Sequence, residues 1–216
     1  EFDKFAKRIE KELAHRKKEL SELSILVKGN MSDSEKNALR RATFPIIYSH
    51  WEGFVKRLGK EALSYIKNQK LSYIELQKTF STIAIYQLMK GGLPTVEVKQ
   101  TRMLMNFFAG DFTEVLNGNF DFGQTETWVD TQSNLKQEPL ENILRLFCIK
   151  HNAESVSSGW LDNFVNTRNS ISHGDLLQIS ENDFEDAFDR ILKLLDLLKD
   201  CFFNYIENEG YKVANT

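Results

Sequence analysis

In the stretch NTRNSISHGD (166–175) an arginine, an amide and an imidazole are gathered at one end of an apolar helix and followed by a glycine. Arg168, Asn169 and His173 are residue types suited to a phosphodiester. A guanidinium offers forked donors to phosphate oxygens. An imidazole moves a proton near neutral pH, and the amide can hold either one in place. On a helix, Asn169 and His173 are four apart and share a face. Arg168 and His173 are five apart, about 140° around the axis and about 7.5 Å along it, so the long arginine must swing to meet the imidazole. Gly174 puts His173 at the last turn. A plainer reading is an ordinary helix end, where the helix dipole favours a cation by ~0.3–1 kcal/mol.

Other chemistries find no footing. No phosphate-cradling glycine loop follows a strand, and no strand series exists to carry one. The histidines His15, His50, His151 and His173 form no HExxH or Cys/His cluster, so neither a metal nor a cofactor is expected. No Ser or Cys stands in a nucleophile elbow, and the carboxylates are scattered along helix faces. Cys148 and Cys201 lie in apolar surroundings and read as buried thiols of a reducing compartment.

The elements that must position these residues are helical. With 216 residues, 41% hydrophobic, 27% charged and only three prolines, the chain suits one all-α domain over 1–216. A net charge of −3 gives no global positive field, so any nucleic-acid contact must be a local patch. No signal peptide or apolar run of membrane-spanning length is evident, which points to a cytoplasmic protein without a membrane partner. The chain begins Glu1-Phe2 without an initiator Met, as an excised piece of something longer would.

Phe2, Phe5, Ile9, Leu13, Leu20 and Leu23 recur at helical spacing and predict an N-terminal amphipathic helix over 1–28. Its KRIEKELAHRKKE run is most simply a solvated face. Ser32-Asp33-Ser34-Glu35 has capping-box spacing and opens a helix to about residue 68, with Pro45 as a kink or break. Ser72-Tyr73-Ile74-Glu75 repeats the box and predicts a third helix to Met89, and Val96–Phe108 a fourth. Residues 109–136, rich in Gly, Asn, Asp and Thr with spaced aromatics, read as a long structured loop with a hairpin near Asn117-Gly118. It serves as a lid over the core or as a binding loop. A fifth helix starts at Pro139 and reaches about His151. Ser157 or Ser158 opens the motif helix, and Ser180 caps the last one.

The motif stretch resembles the HEPN (higher eukaryotes and prokaryotes nucleotide-binding) family. Its ribonuclease members carry Arg, four to six residues, then His, often with Asn directly after the Arg. The spacing occurs three times here, from Arg8 to His15, Arg145 to His151 and Arg168 to His173. Only the third has the following Asn, the Gly and the long final helix ENDFEDAFDRILKLLDLLKD. YSHWEGFVKRL (48–58) is similar to an early HEPN helix, and TQSNLKQEPLENILRLF (131–147) to the lead-in of the motif helix, so the resemblance covers roughly residues 30–210.

The resemblance implies an all-α, HEPN-like helical bundle and a metal-independent endoribonuclease. Two protomers would face each other and form one composite cleft. His173 would then be the general acid/base, Arg168 the phosphate ligand and Asn169 the orienting amide. Glu52 would be a supporting polar contact, although with Lys56 it also reads as a surface Glu–Lys pair worth ~0.2–0.5 kcal/mol. RNA would be the substrate, a second copy the dimer mate, and an antitoxin or defence-complex protein a further partner. Toxin–antitoxin, restriction-linked or abortive-infection defence would be the setting. Some HEPN toxins carry a Tyr two residues after the His, which a nucleotidyltransferase modifies; Asp175 stands there instead. The alternative is a non-catalytic HEPN-like module for dimerisation or for nucleotide or partner binding, and a third reading is a helical adaptor.

Overall fold

Three long helices supply most of the core, and their sequences explain why. The computed structural model describes residues 1–89, 110, 112–124, 127–150 and 159–213. Helix α1 (Phe2–Val27) buries Phe5, Ile9, Leu13, Leu20 and Val27, a stripe at four- and seven-residue steps. Helix α2 (Asp33–Asn68) starts at a complete capping box: Ser32 accepts from the Glu35 N–H while Glu35 reaches back to the Ser32 N–H. It runs unbroken through Pro45, whose missing N–H removes one hydrogen bond from the helix ladder. Helix α7 (Glu181–Glu207) begins at Ser180, whose hydroxyl accepts from Asp183 N–H, and it packs against both α1 and α2.

The second capping box gives less than expected. Ser72 and Glu75 form it, but only a single 3-10 turn (Tyr73–Glu75) follows. Leu76 is buried and extended, and the Gln77 N–H donates to the Tyr211 carbonyl at 2.8 Å, so pairing with the C-terminal segment pulls the chain out of the helix. Helix α3 therefore starts later, at Lys78, and runs to Met89. The expected helix over 96–108, the Ser157/Ser158 start and His151 lie outside the described residues.

The 109–136 segment is not hairpin-like at Asn117-Gly118. A short helix α4 (Phe112–Asn117) ends there, and Asn119 makes one antiparallel bridge to Ser72. Phe120, Phe122 and Val129 sink into the core, as a lid's side chains do. Helix α5 (Gln137–Leu146) is shorter than expected, and Cys148 just beyond it takes a left-handed φ of 53° and is exposed. Cys201 is half-buried. Neither is the fully buried thiol the sequence suggested. No helix among the described residues is long and apolar enough to cross a membrane.

Candidate functional site

Helix α6 (Trp160–Ser172) carries the motif. Leu161, Phe164 and Val165 are its buried residues, and Phe164 packs among Phe44, Tyr48 and Trp160. Arg168 continues that stripe at the next helical step, so it faces α2. Its guanidinium carbon lies 3.7 Å from the centroid of the Tyr48 ring. Arg168 Nη1 donates to Asn169 Oδ1 at 2.7 Å, and Asn169 Nδ2 donates to Asn134 Oδ1 at 2.8 Å. The structure thus joins the first two predicted residues and ties them to the loop before α5.

His173 is placed differently. It is the C-terminal cap of α6 (φ −84°, ψ 0°), and its N–H donates to the Asn169 carbonyl at 2.9 Å. Gly174 follows at φ 94° and donates to the Ile171 carbonyl, while Asp175 N–H reaches the Ser170 carbonyl at 3.0 Å. These two bonds are the Schellman arrangement, which requires the left-handed residue that glycine supplies without strain. The imidazole is exposed and takes no hydrogen bond or ion pair among the described residues. A turn beyond Arg168, it stands at the same helix end, facing solvent.

Glu52 is more than a surface pair with Lys56, although that pair forms at 3.1 Å. Its side chain is only 15% exposed, and it accepts a hydrogen bond from the buried Thr131 hydroxyl. Tyr48, one turn earlier on α2, has its phenol pushed above the usual tyrosine range, chiefly by burial. Glu52 adds to that rise, while the Leu135 N–H and Arg168 oppose it. The Leu135 N–H donates to the Tyr48 oxygen at 2.8 Å, and Trp51 Nε1 donates to the Leu135 carbonyl at 3.2 Å.

Tyr48, Thr131 and Asn134 are therefore site members that residue-type reasoning passed over. A signal existed for Tyr48, which precedes Glu52 by four residues and shares its helix face. The loop between Thr131 and Asn134 is a tight turn closed by Asn134 N–H to Thr131 carbonyl at 3.0 Å. Its two central residues, Gln132 and Ser133, both have left-handed φ (53° and 56°). That is the I′ hand, which ordinarily asks for Asn or Gly, so two ordinary side chains hold it under strain.

The site holds a guanidinium on an aromatic ring within a polar network with Asn169 and Asn134, and leaves an accessible imidazole at the end of the same helix. Among the described residues, no group of three or more His, Cys, Asp or Glu side chains could hold a metal ion. No curated protein and no solved structure matches the chain. The model of the MAE_28990-like HEPN family matches residues 5–211, which takes in the motif, α2, α7 and all but the first three residues of α1. The chain belongs to the HEPN family.

Proposed function

We propose that this HEPN protein is a metal-independent endoribonuclease working as a homodimer in a toxin–antitoxin, abortive-infection or restriction-linked setting, with His173 and Arg168 acting on one RNA phosphate. One observation carries the reading. Only one of the five guanidinium N–H donors of Arg168 is used within the described chain. The remaining donors make no hydrogen bond among the described residues, and the imidazole of His173, exposed and likewise without a partner there, stands five residues on at the end of the same helix.

In the reaction, His173 removes the ribose 2′-OH proton and the oxygen attacks phosphorus. The P–O5′ bond breaks, and the departing 5′ oxygen takes up a proton from the partner subunit's His173 as acid. The products are a 2′,3′-cyclic phosphate and a 5′-hydroxyl. Arg168 stabilises the charge that builds on the phosphoryl oxygens, with Asn169 fixing the guanidinium plane and Glu52 bracing the loop through Thr131.

The same Arg168–Tyr48 stack also suits the rival reading, a non-catalytic dimerisation or nucleotide-binding module, because it serves packing as well. Incubating the protein with end-labelled RNAs in EDTA separates the two. The nuclease cuts and leaves cyclic phosphate ends detectable by mass spectrometry, and His173→Ala abolishes this. Cutting by His173→Ala at the wild-type rate overturns the assignment, and inactivity of an intact wild-type dimer on varied RNAs supports the module.

A further inference from the structure

A second polar feature lies on the other side of the strained turn. A cleft of about 520 Å³ opens between α1, α2 and residues 129–133. Arg16, Lys56, Arg57 and Lys60 line it, against only Glu12 and Asp130. On a chain of net charge −3 this is a local concentration of cations.

Two of these cations have capacity to spare. Lys60 is exposed and forms no ion pair among the described residues. Arg16 is mostly buried: it donates to Glu12 at 2.6 Å and to the His50 carbonyl at 3.1 Å, yet its buried Nε has no hydrogen-bond partner among the described residues. Its guanidinium lies against Gly53, where a Cβ would come within 2.9 Å of Nη1. The absent side chain at residue 53 is what lets a charged plane form the cleft floor. Lys56 and Arg57 are partly neutralised, by Glu52 at 3.1 Å and Glu61 at 2.9 Å.

The cleft also shares a wall with the Arg168 site. Thr131 and Ser133 line it, while Asn134 holds Asn169. Because Asn134 closes a turn on Thr131, their Cα atoms lie within about 7 Å.

We propose that this cleft binds phosphates of the RNA strand next to the one on which Arg168 and His173 act, an inference that rests on the ribonuclease reading for its substrate. Strand phosphates bind such cations mainly by releasing counterions, so affinity must fall steeply with salt.

The test is fluorescence anisotropy of a labelled, unstructured short RNA bound to the full-length His173→Ala dimer across a potassium chloride series, with cleavage measured in parallel in the His173 background. Lys60→Gln should weaken binding about three- to tenfold and reduce the salt slope by about one. Asp130→Asn keeps the oxygen that accepts from Gln132 N–H and removes a repelling charge, so it should tighten binding several-fold. Lys70→Gln, ten residues beyond Lys60 at the end of α2, should change neither. If Lys60→Gln and Asp130→Asn bind like the parent while cleavage persists, the cleft inference fails and the nuclease reading survives. If binding follows Lys60 and Asp130 but no RNA is ever cut, the cleft stands and the nuclease reading fails. Absence of RNA binding, or Lys60-dependent binding of polyglutamate in place of RNA, overturns the RNA assignment.

Discussion

Arg168 rests on Tyr48: the guanidinium carbon is 3.7 Å from the ring centroid, and the phenol oxygen below it accepts the Leu135 N–H at 2.8 Å. One side chain therefore supports both the cation and the loop. Tyr48→Phe keeps the ring and strands the buried Leu135 N–H, a loss of about 1–3 kcal/mol in urea denaturation. Tyr48→Leu removes the aromatic face as well, so RNA cleavage should fall further than stability accounts for. Equal cleavage by the Phe and Leu variants, corrected for folded fraction, would show the stack to be irrelevant to activity.

His173→Ala should silence cleavage and leave the melting transition almost in place. The imidazole is exposed and makes no hydrogen bond among the described residues, and such surface changes shift stability by about 0.5 kcal/mol or less. A large loss of stability would instead assign His173 a packing role.

Asn134 and Asn169 should behave as a unit. Each Asn→Ala change breaks the same 2.8 Å bond, so a double-mutant cycle on stability should return a coupling of about 0.5–3 kcal/mol. Additive effects would mean that the loop and α6 are held by other contacts.

Gly59 sits mid-helix, where alanine is normally better by about 1 kcal/mol. A Cβ at this position would meet both Val129 methyls at 2.8 Å, and overpacking of that kind costs about 1–3 kcal/mol. Gly59→Ala should therefore be neutral to destabilising, and it should disturb the 129–135 loop, read as chemical-shift changes at Thr131 and Asn134. A clear gain in stability would contradict the close approach.

His50 is buried on α2, with its Nδ1 unpartnered among the described residues and its Nε2 3.5 Å from Glu19. Burial lowers its pKa below the ordinary value of about 6.5; Arg16 and His15 add to the fall, while Glu19 and Glu12 oppose it. Neutral in the folded chain and protonated in the unfolded one, it favours unfolding as pH drops below about 6.5, down to its folded pKa. Stability from this group is thus present at higher pH and lost on acidification. His50→Gln should flatten the difference in urea midpoint between pH 7.5 and pH 5.5, and an unchanged slope would exclude His50 as its source.

Much of this architecture is legible in the residue order. The apolar steps of α1, the Ser32 box, the Ser180 cap and Gly174 each report a local rule that the fold obeys. What local rules could not supply is the competition from distant chain. Ser72–Glu75 carries the same box as Ser32–Glu35, yet Leu76 and Gln77 pair with residues beyond 210, so the box opens only a 3-10 turn and α3 starts later, at Lys78. The motif residues announced themselves by type, whereas their supports did not. Thr131 and Asn134 are ordinary loop residues until α2 and α6 are brought against them, and Tyr48 looks like any core aromatic.

Leu135 has both its backbone N–H and its carbonyl engaged by α2, through Tyr48 and Trp51, while its neighbour Asn134 grips α6. The turn accordingly rides on α2 as the arm of a lever rides on its shaft. Tilting α6 loads the amide link to Asn134 and the bond from Gln137 N–H to the Asp162 carboxylate, whereas rolling α2 about its long axis sweeps the cation-lined wall and the arginine's aromatic seat through space in concert. Any torque applied to that 36-residue rod is felt at both places at once.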